Sequence, residues 1–343
     1  LPVQPGYPAI TVGGCIAANV HGKNSATSGT FEACVEDILL FHPKHGEVRI
    51  DRTNHYSLFK LTCGGYGLTG IILSAVLRLE PLPGTAVAME RHFVSGCVEA
   101  LKSVRSLAAN GKSTYTWHDA APVSQTFGRG IVYAGSFVSG DSDILGPMDY
   151  RRMTALSRCR FPFSIWSGVR TRAMNSAYRW SEKLQPRATE IPLFKWLYPF
   201  AKCPYFFYLF GRQGFCESQV LIPNDRCEGF LQDLQRHIVG KKAPAVCVSL
   251  KAFKGTQALL RFDGDGIAVT LFLVRSKEAQ EFLQTLDTLT AFWHGIPNVI
   301  KDSRLSSSTI RACYPEYTIF REQLHKHDPS RLFQSELSQR LDL

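Results

Sequence analysis

An α+β fold in two units is what this sequence predicts, and three observations predict it. Within about the first 80 residues, short β-type runs alternate with glycine turns: ITVGG, EDILLFHP, EVRID and GLTGIILSAVLRLEP. Pro81-Leu82-Pro83-Gly84 then interrupts the pattern and marks a boundary. Beyond it the order is strand, helix, strands, helix, as expected of an antiparallel sheet covered by helices on one side.

The elements follow in order. ITVGG leaves a strand into a glycine turn, and the next three runs read as strands that pair at a distance. CVEALKSVRSLAANG repeats its apolar residues at helical spacing and ends at Gly111, whereas TYTWHDA and RGIVYAGSFV read as strands. From about residue 150 to 215, Arg is mixed with Trp, Phe and Tyr (RFPFSIWSGVRTR, FKWLYPFAKCPYFFYLFG), a composition suited to lying on lipid or wrapping an apolar ligand. Then come the strand SQVLIP, a helix from about Asp225 to Val239, strands AVCVSLKAF, ALLRFDGDG and IAVTLFLV, and a second helix, EAQEFLQTLDTLTAFWHG.

The chain has 343 residues, 45% hydrophobic and 11% aromatic, enough for a large core and for two domains. Its 39 Lys plus Arg exceed 29 Asp plus Glu, a net charge of +10 that suits an anionic partner: nucleic acid, phosphorylated metabolite or membrane surface. The arginines do not interleave with aromatics in an RNA-binding signature, which argues against nucleic acid. Ten cysteines without a C-x-x-C pair predict buried free thiols in a reducing compartment, the cytoplasm. No apolar run approaches the roughly 20 residues that span a bilayer.

Several motifs are set aside. Asn110-Gly111-Lys112-Ser113 resembles the end of a phosphate loop, but Ser106 stands where that loop needs glycine, and a helix precedes it instead of a strand. His42 with His45 and His325 with His327 lack an accompanying Cys or acidic cluster, so a turn and a solvated helix face are expected and no metal site. Asp263-Gly264-Asp265-Gly266 reads as a hairpin turn without the later glutamate of a calcium loop.

Two glycine-rich segments remain. Thr11-Val12-Gly13-Gly14 carries little side chain, so its N–H groups can approach a phosphate or a flat ring, with the small Ala17 and Ala18 beneath. Cys63-Gly64-Gly65-Tyr66-Gly67-Leu68-Thr69-Gly70 has the same character. Neither is G-x-G-x-x-G in a strand-to-helix unit, which argues against a nicotinamide-binding Rossmann site.

Together, TVGG with HGKN, then GGYGLTGII, then KDSR, along with YTWHDA, FGRGIVYAG, FGRQGFCESQVLIP and the ending YPEYTIFREQLHKHDPSRLFQSELSQRLDL, resemble the FAD-linked oxidases of the vanillyl-alcohol-oxidase type. The likeness is strongest to the branch that oxidises a polyprenylphosphoryl ribose in arabinan and cell-wall biosynthesis. It implies an FAD-binding domain at residues 1–84, a substrate domain at 85–295 built on the antiparallel sheet, and a segment at 296–343 returning to the FAD domain. It also implies that the family's flavin-phosphate loop would precede QPG, so that the sequence looks like the later part of a longer polypeptide, incomplete at the N-terminus of its FAD domain.

Carried over one position at a time, the family's flavin contacts fall on Gly6, Thr11, Val12, Gly13, Gly14, Ala18, Asn19, Val20, His21, Ile72 and Asn298. The lysine at the flavin's reactive face falls on Lys301, with His21 as its catalytic companion; Lys23, Lys251, Glu217 and Ala268 would line the substrate pocket. Asn298 stands where the family has tyrosine, Ala268 where it has cysteine, and Glu217 where it has glutamine. The implied substrate is a polyprenyl-phosphate-linked sugar oxidised to a ketone, with a separate NAD(P)H-dependent short-chain reductase completing an epimerisation and a peripheral membrane contact on either side of the membrane. Oxidation of an alditol or sugar lactone, or a flavin-free binding role, are the alternatives.

Overall fold

The computed structural model describes residues 1–7, 9–139, 161–199 and 205–343. The chain's first element is α1 (Val12–Ala17), a helix where ITVGG predicts a strand. Thr11 explains the difference: its extended backbone lets the side-chain hydroxyl accept from Gly14 N at 3.1 Å, an N-cap that starts a helix within a β-branched run. Gly13-Gly14 therefore lies in a helical first turn and not in a turn after a strand. α2 (Ser25–Ser28) and a 3-10 turn (Phe31–Cys34) lead into β1 (Val35–His42), β2 (Gly46–Asp51), α3 (Tyr56–Thr62) and β3 (Ile71–Leu77). These strands form an antiparallel sheet in the order β2-β1-β3. Its inner face buries Ile38, Leu40 and Ile50 against Cys15, Ile16 and Phe59 of the flanking helices. The other side of β3 leaves Ile71 and Leu73 about half exposed.

The second sheet is larger. β4 (Ala86–Val94), α4 (Cys97–Ala109), β5 (Ser113–Asp119) and β6 (Gly130–Val138) are followed by α5 (Gly168–Lys183), β7 (Ala188–Pro192), α6 (Leu193–Leu197) and α7 (Tyr205–Tyr208). β8 (Phe215–Pro223), α8 (Cys227–Lys241), β9 (Ala245–Phe253), β10 (Gly266–Val274), α9 (Lys277–Phe292) and β11 (Ile296–Pro297) complete it. The eight strands run β11-β8-β10-β9-β5-β6-β4-β7, with antiparallel neighbours throughout. α10 (Ser307–Cys313), α11 (Tyr317–His327) and α12 (Glu336–Leu341) close the chain.

One sheet face packs on α4, α8 and α9 through Val104, Leu234, Phe282 and Leu286, which meet Val248, Leu250, Val269 and Leu271. α8 and α9 approach closely because residue 229 is glycine: a Cβ there would stand 2.2 Å from the Trp293 ring, whose Nε1 donates to Asp233. The opposite face is covered too, contrary to the one-sided layer predicted. Trp166 and Phe210 pack there on Cys247, Phe272 and Val274, and Trp196 packs on Val87, Ile131 and Tyr133. β10 is accordingly apolar almost throughout, as a strand buried on both faces must be. Of the basic aromatic stretch predicted there, residues 150–160 and 200–204 lie outside the described ones.

ALLRFDGDG is not a strand. Residues 254–265 form an irregular connection between β9 and β10, in which Leu259 has φ 53°. Its apolar residues Leu260 and Phe262 are buried by tertiary contacts with the C-terminal helices, which a strand-like pattern cannot distinguish from pairing. Between them Arg261 reaches Glu32, which also holds Lys60 at 2.9 Å and Arg52 at 3.3 Å. Burial opposes ionisation of Glu32, but Arg261, Lys60 and Arg52 outweigh it and hold the carboxyl below its usual range. This buried network ties the β9–β10 connection to the three-stranded sheet.

His42 ends β1, and the expected turn follows it at residues 43–45. His42 itself is buried, with its ring 4.7 Å from that of His45 and 5.0 Å from that of His327, and its Nε2 is 3.7 Å from Asp328. Among the described residues no group of three or more His, Cys, Asp or Glu could hold a metal ion. The eight described cysteines are unpaired and seven are buried; burial pushes the Cys63 and Cys97 thiols up to about 12.

Candidate active site

Strand register assembles the site. Across β8, β10 and β9, Gln219 pairs with Thr270, Glu217 with Phe272, and Leu221 with Ala268, which pairs in turn with Lys251. Alternation along a strand puts Glu217, Gln219, Ala268, Thr270 and Lys251 on one face, the one turned away from α4, α8 and α9. β11 extends the sheet beside β8, and Asn298 N donates to Gln219 O at 2.8 Å just beyond it. Lys301 follows in the next turn.

His21 is the centre. It lies three residues beyond Ala18, the C-cap of α1, and an isolated bridge to Thr30 fixes its backbone. Its ring packs edge-on against Phe253 at 4.8 Å and beside Phe262 at 5.7 Å. Nε2 is 3.2 Å from Gln219 Oε1, an oxygen that also accepts from Asn298 Nδ2 at 2.8 Å, while Gln219 Nε2 donates to Thr270 Oγ1 at 2.9 Å. Because that oxygen can only accept, His21 carries its proton on Nε2 and presents the Nδ1 lone pair to Lys251 Nζ, 3.4 Å away. With the proton on Nε2, Nδ1 has none to donate to the Gly22 carbonyl 3.5 Å away.

Charge in the site is lopsided. Lys301 Nζ is 2.9 Å from Glu217 Oε1, and its side chain remains 40% exposed while Glu217 is 20% exposed, so the ammonium reaches solvent from an anchored carboxylate. Burial and the Lys301 charge push the Lys251 amine down to about 8, against the pull of Glu217. Burial and the Lys251 and Lys301 charges hold His21 well below its ordinary value, despite the Gln219 hydrogen bond, so the imidazole is neutral at pH 7. Lys23 is depressed by burial and by Lys251; its Nζ donates to the Leu197 carbonyl and lies 5.1 Å above the Tyr115 ring. One carboxylate thus faces three amines, and an anion would find a complementary field there.

The other residues implied by the resemblance lie on the segment that leads to His21, in the core of the small sheet, or behind the site face. Thr11 and Val12 are exposed, and at Gly6 and Gly13 nothing stands within 4 Å of where a Cβ would be. Gly14 sits under the Thr11 hydroxyl, Ala18 and Val20 are half-buried, and Asn19, with φ 44°, turns inward so that its Oδ1 accepts from Glu32 N. Ile72 packs into the small core while Ile71 and Leu73 face outward. Asn298 supports Gln219 from within, and Ala268 is fully buried beneath the site face. Gln219 and Thr270 were missing from the residues picked out by sequence; the signal for Gln219 was its place two residues after Glu217, on the same strand face, in FCESQVLIP.

No family model matches the chain. Comparison with individual proteins shows similarity to an oxidase over the whole length of the chain. That protein is decaprenylphosphoryl-β-D-ribose oxidase of Mycolicibacterium smegmatis, 28% identical over 358 aligned residues that span all of this chain and 76% of the relative. A Streptomyces coelicolor protein described as an uncharacterized protein in the mprA 5′ region is also 28% identical, over 376 residues and 96% of its length.

Proposed function

We propose that this chain is an FAD-dependent oxidoreductase that oxidises a sugar ring hydroxyl, the 2-hydroxyl of a polyprenylphosphoryl ribose, to a ketone. The observation that carries this reading is the convergence of His21, Lys251 and Lys301, from three distant segments, on one polar face, in a chain similar throughout to a ribose oxidase. A flavin fits the wall beside them. The open space at Gly6 and Gly13 and the exposed Thr11 and Val12 leave the backbone of α1 approachable by a flat ring, and His21 continues directly from that segment.

Bound there, the flavin would supply the hydride acceptor. This chain's residues manage the proton and the charge. The Lys251 amine, poised near 8, is matched to taking the hydroxyl proton near neutral pH. His21 Nδ1, fixed in its tautomer by Gln219, accepts a hydrogen bond from that amine and orients it. The Lys301 ammonium, anchored by Glu217, stabilises developing negative charge on the substrate oxygen. A separate NAD(P)H-dependent reductase acting on the opposite face of the ketone would complete an epimerisation.

The test is spectroscopic. The protein should be yellow, and anaerobic addition of a polyprenylphosphoryl ribose should bleach the flavin. Lys301→Ala should slow bleaching by about a hundredfold or more while the flavin stays bound. Colourless protein, or bleaching at the normal rate in the variant, would refute the assignment.

A further inference from the structure

We infer that the outward face of α5 docks on an anionic lipid bilayer. The helix is inverted relative to an ordinary surface helix. Beside Met174, which packs on the Trp166 core, its inward face is held by polar contacts: Asn175 Nδ2 donates to Asp119 at 2.6 Å and to the Val246 carbonyl at 2.9 Å, the Tyr178 and Tyr133 hydroxyls are 2.8 Å apart, and Glu182 pairs with Arg91 at 2.8 Å. Its outward face is apolar. Val169, Ala173, Ala177, Trp180 and Leu184 recur at intervals of three and four residues, a single stripe on the side opposite those bonds. Val169 is 82% exposed, and Trp180 and Leu184 are each 64% exposed.

Charge complementarity identifies the occupant. Arg170, Arg172, Lys183 and Arg187, all exposed, accompany the stripe, whereas the helix's one carboxylate, Glu182, is spent on Arg91. Lys183 is braced with its Nζ 5.8 Å from the Phe93 ring, over which Arg179 turns inward at 5.6 Å. An apolar stripe carrying tryptophan, bordered by cations, is the pattern that lies in a headgroup layer, with each cation drawn to anionic lipid. A protein partner's apolar patch would leave these cations without counter-charges. The helix also lies on the site face of the sheet: Tyr178 meets the Trp117 ring at 4.6 Å, and two residues earlier on β5 Tyr115 sits beneath Lys23. A bilayer held against α5 would therefore lie on the site side of the sheet. The inference goes beyond the oxidase reading, since lipid partitioning needs neither flavin nor substrate.

The experiment is flotation of the whole chain with vesicles of phosphatidylcholine, with and without phosphatidylglycerol. Binding is expected only with phosphatidylglycerol, weakening as salt rises. Trp180→Ala with Leu184→Ala should lower partitioning by about tenfold or more, since two large apolar groups leave the interface. Phe292→Ala, at a 68% exposed position on α9, should leave it unchanged. Circular dichroism melts establish that the α5 variant is folded. No binding to phosphatidylglycerol vesicles, or equal binding by the folded α5 variant, would overturn the proposal. So would self-association that the same substitutions abolish without vesicle binding, which would assign the stripe to a second copy.

Discussion

The two faces of the eight-stranded sheet use the same strands for opposite purposes. On the face under α4, α8 and α9, side chains such as Val248, Leu250, Val269 and Leu271 interdigitate with helix residues, and the few polar groups serve structure: Thr116 Oγ1 accepts from Leu250 N at 2.7 Å. On the other face, residues one position away in the same strands are Lys251, Thr270, Gln219 and Glu217. A cluster of like charges is tolerable there because the helix-covered face supplies the burial that holds the strands in register. The comparison teaches that stability and chemistry are separated by one residue of alternation, so substitutions a single position apart should differ in kind.

The largest effect belongs to the helix-covered face. Phe282, 1% exposed within that core, should cost about 3–5 kcal/mol on truncation to alanine through lost burial and the cavity left behind. Urea denaturation measures this, and a loss under about 1 kcal/mol would mean that this face does not carry the fold. Next comes pH. His118, fully buried on the same face, has its ring pushed down to about 4 by burial, against a hydrogen bond to the Gly128 carbonyl. Its folded value lies below the unfolded 6.5, so the unfolded chain binds the proton more readily. Stability therefore falls as pH drops through 6.5 toward 4, by roughly 3 kcal/mol in all. His118→Gln should flatten that part of the stability-against-pH curve; parallel curves for the two proteins would remove His118 from the account.

Much of the helix-covered face was legible in sequence because its signals are local. α4, α8 and α9 carry apolar residues at helical spacing, and their observed bounds fall within about three residues of those read from the pattern. α1 was not legible: one hydroxyl contact, Thr11 to Gly14, turns a β-branched run into a helix. The 254–265 connection was misread because Leu260 and Phe262 are buried by helices distant in sequence. The site face was harder still. His21, Lys251, Lys301 and Glu217 were singled out only through a family resemblance, and nothing local showed that Gln219 would join His21 to Asn298. That junction depends on β8, β10, β9 and β11 pairing and on His21 arriving from 198 residues away in the chain.

The smallest effect makes the sharpest contrast, because its sign is reversed. Lys251 sits one strand position from Leu250, yet its folded value of about 8 lies below the ordinary 10.5 of a lysine. The unfolded chain holds that proton more tightly, so at pH 7 the charged amine costs the fold free energy, and the cost disappears as pH rises from 8 through 10.5. Lys251→Met keeps the length and apolar stem of the side chain and removes the charge pressed against Lys301. It should raise stability at pH 7 by about 1 kcal/mol, a partial figure because the amine keeps some contact with water. The gain should shrink toward zero in alkaline solution, while the hydroxyl oxidation proposed for this chain should be lost at every pH. Denaturation midpoints at pH 7 and pH 10 measure the first effect and flavin bleaching the second. A destabilised variant would make Lys251 part of the scaffold, and the division of labour between the two faces would fail at the position where it is drawn most finely.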